Sequence, residues 1–471
     1  MKRQVICIIA EGSYPYVVGG VSSWIHQLIN GHPEKDFKIL SILPSEKENP
    51  QEKYERPSNL LEVKTIYLAD IYEHRVDKKI FMKYDDVEEN IISRFINMEL
   101  SEETKKALEL ISDKEKSSVF DFTTSDFFWE KICSKYESEY IEKEFNNFYW
   151  SYKSVFMFLM NVLQNEIPKA DLYHSVSTGY AGVLGVLAKI KYNKPYYLTE
   201  HGVYAREREE DIIKSNWVGN DFKKIWIDYF YFLSKIAYKY SDKIISLFKY
   251  NSDLQILFGA PKEKTFIISN GVDVDFFSKI EKEKTKKFIV GSILRIVPIK
   301  DVKMMIKAFK IVTNTIENIE LYLIGPYEED PNYYKECKEL IDDLKLNSQI
   351  IFTGKVDVKD YLGKLDIFLL SSISEGQPLS MLEAMSVKIP VIATDVGDCR
   401  GVLTSHKEIG CAGVIVPPTS SAIMAAEIVA LYKNESRLKL LGERGYEIVN
   451  KYYRADQFLN IYTKLYEEGW S

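Results

Sequence analysis

Cysteine is scarce in this sequence. Cys7, Cys133, Cys337, Cys399 and Cys411 are scattered, odd in number and never spaced Cys-x-x-Cys. That pattern offers neither a disulfide framework nor a zinc site, and a reduced, cytoplasmic setting is the simple reading. Long apolar runs are missing too: no stretch reaches the roughly 18 apolar residues of a membrane span. The basic start Met1-Lys2-Arg3 is followed by Val5–Ala10 and then by Glu11 and Gly12. This apolar run is too short for a signal peptide and reads as a buried first strand. Any membrane attachment is expected to come through partners. A large charge excess is also lacking: 62 Lys and Arg stand against 69 Asp and Glu, a formal charge of −7. A nucleic-acid-binding surface is therefore not expected as the main feature. There is no internal repeat and no low-complexity tract.

What is present is an ordinary globular composition, 46% hydrophobic and 28% charged over 471 residues, enough for two or three domains. Short apolar runs alternate with helical patterns. Val5–Ala10, Phe37–Leu43, Val63–Leu68, Leu172–Ser175, Tyr196–Thr199, Lys243–Ser246 and Thr265–Ile268 read as strands, with helices such as Val21–Asn30, Tyr180–Tyr192 and Phe222–Tyr240 between them. The alternation breaks over about 45–166, a Glu-, Lys-, Tyr- and Phe-rich stretch read as an insertion. It could cover an acceptor site, bind a partner or cap the sheet. The charged run Lys279–Lys287 reads as an exposed linker. Alternation restarts at Phe288–Ser292 and continues to Gly413–Val416, followed by helical patterns to the end. The expectation is an α/β chain with two doubly wound, Rossmann-like domains, 1–280 and 281–450, and a terminal segment 451–471 whose helix packs back on the first domain.

Ligands of open α/β sheets sit beyond the carboxyl ends of the strands, so the residues just after strands carry the functional reading. Ser374-Glu375-Gly376-Gln377-Pro378-Leu379-Ser380 follows a strand and opens a helix that contains Glu383. Unpaired N–H groups at a helix start suit an anion such as a diphosphate, and two flanking carboxylates can accept from sugar hydroxyls. Taken alone, Glu375 and Glu383 read better as a surface loop residue and a solvated helix residue than as a site. Arg295 and Lys300 follow the first strand of the second domain, with Asp301 placed to cap the next helix. A planar fork and a point charge both suit phosphate oxygens; alone they could be surface cations. Gly19-Gly20 lies between the first strand and its helix, where the backbone can approach a ligand, though the segment is neither Gly-x-Gly-x-x-Gly nor a Walker loop. His201 ends a strand in Thr199-Glu200-His201-Gly202-Val203, and Asn270-Gly271-Val272-Asp273 marks a turn.

Together and in this order, Gly19-Gly20, Asn270-Gly271-Val272-Asp273, Arg295-x4-Lys300 and Glu375-x7-Glu383 resemble glycosyltransferase family 4 over nearly the whole chain. The runs Ile9–Tyr16, Gly19–Ile29, Thr199–Arg208 and Ser374–Leu379 are similar to its PelF-like branch, which serves Pel exopolysaccharide synthesis. The resemblance implies a GT-B fold, two domains facing across a cleft. It also implies retaining transfer from a UDP-sugar to a polysaccharide acceptor, no required metal or cofactor, and work beside an inner-membrane polysaccharide export complex. Arg295 and Lys300 would hold the diphosphate, Glu383 the ribose and Glu375 the sugar hydroxyls, with backbone N–H groups near Gly376, Gln377, Pro378, Leu379 and Ser380 assisting. His201 would orient the reacting sugar, Gly19 and Gly20 would admit donor and acceptor, and Gly354 and Val356 would meet the base. Asp301 departs from the family, where glycine often follows the lysine. Two other readings stay open: a nucleotide-sugar epimerase or hydrolase on the same fold, and a non-catalytic scaffold of a synthase complex.

Overall fold

The structure is a computed structural model that describes residues 3–48, 50–72 and 82–469. It divides into two compact units, Met1–Ile267 with Tyr462–Ser471, and Ile268–Ile461.

The first unit is built on seven strands: β1 (Val5–Glu11), β2 (Asp36–Leu43), β3 (Leu60–Tyr67), β4 (Leu172–Ser175), β5 (Tyr196–Glu200), β6 (Lys243–Ser246) and β7 (Thr265–Ile267). Their order is β3-β2-β1-β4-β5-β6-β7, and every pairing is parallel. Every residue of β4 and β5 is buried, as expected of parallel strands covered on both faces. Helix α1 (Gly20–Asn30) buries Trp24, Ile25, Leu28 and Ile29, a helical spacing that puts one apolar stripe on the sheet.

Five further helices precede β4: α2 (Asp86–Ile96), α3 (Thr104–Ser112), α4 (Val119–Thr123), α5 (Asp126–Glu139) and α6 (Phe145–Leu163). They form the insertion, with one correction to its expected span. Leu60–Tyr67 is the edge strand of the sheet, so the helical part begins after it; residues 73–81 lie outside the described residues. Phe95, Phe128, Phe148, Tyr152 and Phe156 share one buried cluster with Val183, Leu184 and Ile236 of the sheet-covering helices. Much of the segment's aromatic content is therefore core packing that caps the fold, while Phe120, Trp129 and Trp150 stay exposed. The remaining helices of this unit are α7 (Gly179–Tyr192), α8 (Tyr204–Lys214), α9 (Lys223–Tyr240) and α10 (Lys249–Leu257).

The second unit opens with α11 (Val274–Phe277). It has six parallel strands, β8 (Phe288–Ile293), β9 (Ile319–Ile324), β10 (Ile350–Gly354), β11 (Ile367–Leu370), β12 (Val391–Thr394) and β13 (Gly413–Val416), in the order β10-β9-β8-β11-β12-β13. Its other helices are α12 (Val302–Val312), α13 (Pro331–Leu344), α14 (Lys359–Leu362), α15 (Leu379–Ser386), α16 (Cys399–Thr404), α17 (Ser421–Tyr432) and α18 (Glu435–Tyr452). Helix α19 (Ala455–Glu468) starts in this unit and returns to the first at Tyr462.

The division falls after Ile267, not near residue 280. Val272 donates to Tyr453 O (2.9 Å), accepts from Ala455 N (2.9 Å) and is buried with Val274 in a second-unit core. A Cβ on Gly271 would stand 2.7 Å from Arg454 O, so glycine allows this close backbone approach. Lys279–Lys287 is an exposed loop inside the second unit, where Glu283 N donates to Gly363 O (2.8 Å). Its charge reflects exposure to water and does not mark a boundary. Among the described residues no helix is long and apolar enough to cross a membrane.

Candidate functional site

Both sheets change direction of winding at their centre, between β1 and β4 in the first and between β8 and β11 in the second. Ligands bind beyond the strand ends at such points; Gly19 and Gly20 follow β1, Arg295 and Lys300 follow β8 and Glu375 follows β11, while His201 follows β5 and Gly354 closes the edge strand β10.

In the second unit Lys300 and Glu375 meet. Lys300 Nζ donates to Glu375 Oε1 at 2.5 Å, and Ser372 Oγ donates to the same oxygen at 2.6 Å. Their side chains are only 21% and 13% exposed, so this charge-assisted pair is screened less than a surface pair. Lys300 ends a short turn, Pro298–Lys300, whose carbonyl accepts from Ser371 Oγ (2.7 Å), while Ile373 N donates to Ile299 O (2.8 Å). The loop after β8 and the loop after β11 are thereby tied together. Asp301 has φ +43° and ψ +51°, and its carboxylate accepts from Met304 N at 3.3 Å. A left-handed position explains why glycine is usual here; aspartate tolerates it and adds an N-cap.

Arg295 is not part of that cluster. Its Nη1 donates to Glu329 Oε1 at 2.6 Å, a half-exposed pair. Glu383 lies within α15, half-buried, and among the described residues no side-chain hydrogen bond or ion pair reaches its carboxylate. Desolvation pushes its carboxyl up to about 7, so it crosses between neutral and ionised near neutral pH. Pro378 is the N-cap of α15, with φ −71° and ψ 114°, and not a residue of its first turn. Proline has no N–H, so Leu379 and Ser380 are left to present free donors there.

Gln377 was expected near the donor, but its side chain is committed elsewhere. Buried, it accepts from Asn270 N (2.6 Å) and donates to Asp398 Oδ2 (2.7 Å), and its carbonyl accepts from Asn270 Nδ2 (3.1 Å). It positions the loop and ties Asn270-Gly271 to it. Asp398, whose carboxyl burial raises to about 6, also donates its N–H to Gly376 O (2.9 Å), and Thr394 Oγ1 donates to Ser372 O (2.7 Å). Gly397, at φ +53°, lies so close to the loop that a Cβ would stand 2.2 Å from Gly376 O and 2.4 Å from Glu375 O. This buttress escaped sequence reasoning, because nothing near residue 397 marks contact with residues 375–377.

Gly354 closes β10 at φ +69°, where a Cβ would meet the Tyr327 ring at 3.4 Å, and Val356 packs against a second-unit core. Tyr327 stacks on Tyr334 with centroids 4.3 Å apart and planes at 10°, a flat aromatic surface beside Gly354 that the sequence did not single out.

In the first unit Gly19 is the extended N-cap of α1 and Gly20 its first residue; no heavy atom lies within 4 Å of a Cβ built on either. The loop before them is held by Tyr54, whose ring packs on Tyr14 (5.2 Å) and His26 (5.1 Å) and whose hydroxyl lies 3.4 Å from Ser23 Oγ. Tyr54 lies in the stretch read as insertion. His201 follows β5, its ring edge-on to Trp24 at 4.8 Å, and its Nε2 is buried without a hydrogen-bond partner. Desolvation lowers its pKa to about 4, which leaves a neutral imidazole able to give or accept one hydrogen bond. Glu200 beside it is a structural anchor. It accepts from Thr178 Oγ1 (3.1 Å), Tyr204 N (3.2 Å), Tyr238 OH (2.6 Å) and Gln255 Nε2 (2.9 Å). Under this loop His174, neutral because burial drops its pKa to about 3, bonds Tyr466 OH and Thr199 Oγ1, both at 2.8 Å.

These two parallel α/β units define the GT-B class of glycosyltransferases, and the comparisons with known proteins agree. Sucrose-phosphate synthase of Thermosynechococcus elongatus superposes with a TM-score of 0.63 at 15% identity, covering 99% of each chain. Anabaena HepE, in complex with UDP-glucose, gives 0.59 at 13% identity over 99% of this chain and 100% of its own. At such identities the likeness is one of fold. The model "Domain of unknown function (DUF3492)" matches residues 4–263, and "Glycosyl transferases group 1" matches residues 273–448. The chain belongs to the DUF3492 family and carries a group 1 glycosyl transferase domain. It is similar to the uncharacterized glycosyltransferase MJ1178 of Methanocaldococcus jannaschii, 29% identical over 65% of this chain and 78% of that protein. Two further curated relatives are spanned over 55% and 58% of their length.

Proposed function

We propose that the chain is a retaining glycosyltransferase that moves a hexose from UDP-glucose or a UDP-N-acetylhexosamine to a growing exopolysaccharide, as in the PelF-like branch it resembles. It works in the cytoplasm beside an inner-membrane export complex. The observation that carries the reading is the cluster of Lys300, Glu375 and Ser372 at the strand ends next to the start of α15. A cation for phosphate and a carboxylate for sugar hydroxyls share one hydrogen bond there, so both ends of a sugar–phosphate bond have a recognition group.

Lys300 and Arg295 stabilise the diphosphate as its negative charge grows, which favours the transition state over bound donor. Because two side-chain cations carry that charge, the reading needs no metal. Arg295 exchanges Glu329 for a phosphate oxygen, and the N–H groups opening α15 add the positive end of its dipole. The ionised Glu383 accepts from the ribose hydroxyls. Neutral His201 gives one hydrogen bond to the reacting sugar through Nε2. The bond from the anomeric carbon to the β-phosphate oxygen breaks, the acceptor oxygen bonds to that carbon from the same face, and the acceptor proton passes to the departing phosphate. UDP and the lengthened glycan are the products.

The test is a thermal-shift panel in EDTA with UDP, GDP, ADP, UDP-glucose and UDP-N-acetylglucosamine, with Glu383→Ala as control. A ligand at 100 times its dissociation constant adds about 2.7 kcal/mol, about 5–10 °C for domains of this size. A shift confined to uridine ligands and lost in the variant is expected. No shift with any nucleotide would favour the scaffold reading.

A further inference from the structure

Trp217 is 67% exposed, unusual for a residue that is highly buried on average. It sits in the loop between α8 and α9, and that loop is well held. Ser215 Oγ donates to Ile212 O (2.8 Å), Lys223 Nζ to Ile213 O (2.7 Å) and Phe222 N to Gly219 O (2.9 Å). Val218 is buried as its anchor, and the buried Trp226 meets the Trp217 ring edge-to-face at 5.1 Å and 80°. The ring is thus propped from one side and open to water. Exposed Asn216 and Asn220 flank it in sequence, with amide donors and acceptors at hand.

The loop is also joined to the strand-end chemistry. Helix α8 starts three residues after His201 and ends three before Trp217. On its inner face Tyr204 OH donates to Glu11 Oε1 (2.5 Å) at the end of β1, and Arg208 lies over the Tyr204 ring at 5.1 Å. Tyr204 packs on Phe230 (5.8 Å) and Phe230 on Trp226 (6.3 Å), so an unbroken aromatic path links the strand end to the exposed ring. Eleven helical residues rise by about 16 Å, a span of several sugar rings.

We infer that Trp217 is a stacking platform for the acceptor glycan, binding a sugar ring several units from the end that is extended. The apolar face of a pyranose lies on the indole, and Asn216 and Asn220 reach its rim hydroxyls. An amphipathic ring beside amides suits a neutral sugar chain. This rests on the transferase reading above, which supplies the growing end.

The test uses the full chain with mono-, tetra- and hexamers of N-acetylglucosamine and of N-acetylgalactosamine. Binding is measured by calorimetry on UDP-loaded protein and transfer by UDP release, for wild type, Trp217→Ala and Trp217→Phe. Trp217→Ala should weaken tetramer or hexamer binding, and kcat/KM for them, about tenfold or more. Monomer transfer and the UDP thermal shift should stay unchanged, and Trp217→Phe should recover most of the loss. Equal losses for monomer and hexamer, unchanged hexamer binding in Trp217→Ala, or a wild type that binds no oligomer would overturn the platform. A missing UDP shift with intact, Trp217-dependent hexamer binding would instead defeat the transferase reading and leave the platform standing.

Discussion

The two strand-end regions differ in how they handle charge. In the second unit the cations come in partly exposed pairs, Lys300 with Glu375 and Arg295 with Glu329, beside the desolvated carboxyls of Glu383 and Asp398. In the first, the groups at and beneath the strand ends are buried: His201 and His174 have pKa values lowered to about 4 and about 3, and desolvation pushes the carboxyls of Glu11 and Glu200 up. Paired cations can trade a carboxylate for a phosphate at small cost. A neutral, desolvated imidazole such as that of His201 discriminates by shape and single hydrogen bonds, as a sugar requires. In the proposed reaction the second unit, with Lys300, Arg295 and Glu375, meets the diphosphate and the sugar hydroxyls, and His201 of the first unit gives the sugar one hydrogen bond.

The strongest way to break that assignment is Lys300→Ala, which should cut turnover about 10²–10³-fold while the far-ultraviolet spectrum stays native. Near-normal UDP release would remove Lys300 from the chemistry. Gly397→Ala comes next. Its Cβ would collide with the backbone of Glu375 and Gly376, and displacement of a reacting group by about 1 Å costs about 10²-fold. Steady-state rates alongside a melting curve separate this from unfolding.

Tyr466→Phe probes the other region through stability. It removes the hydroxyl beside His174 Nδ1 and leaves a buried polar atom unsatisfied, at about 1–3 kcal/mol. Urea denaturation should show that loss, and an unchanged midpoint would count against the role given to the terminal helix.

Glu383 sharpens the comparison through pH. Its folded pKa is raised to about 7, so it is protonated below that pH and ionised above it. Only the ionised form accepts from both ribose hydroxyls, so UDP-sugar affinity should rise about five- to tenfold between pH 6 and 8. The donor diphosphate does not titrate in this window, and Glu383→Gln should flatten the profile. A wild-type affinity that is flat or falls with pH would contradict the ribose assignment. The smallest effect belongs to Glu329→Gln. Freeing Arg295 from a half-exposed partner should tighten UDP binding by about two- to fivefold, measurable by calorimetry.

Much of this was legible in the sequence, for a physical reason: strands, helices and the residues between them are local patterns. Arg295, Lys300 and Glu375 could be placed at strand ends because each follows an apolar run that had to be a buried strand, and Glu383 because it falls in the helix that begins after Pro378. Lys300 and Glu375 meet because β8 and β11 are neighbours, a fact of topology that motif order only implied. The buttress of Gly397 and Asp398 was invisible, since it depends on β11 and β12 pairing and on a left-handed glycine. So were Tyr462 and Tyr466, which complete the packing beneath His201 from the far end of the chain. The boundary was misplaced because charge at Lys279–Lys287 reports exposure to water, whereas Val272 and Gly271 report contact, and contact decides the unit.

The central claim is transfer with retention, and the most direct measurement is the anomeric configuration of the first product. A UDP-α-sugar and an oligosaccharide acceptor would be followed by proton NMR, with UDP release recorded in the presence and absence of acceptor. The account expects an α-linked product and UDP release that depends on acceptor. A β-linked product, or UDP released equally without acceptor, would contradict it.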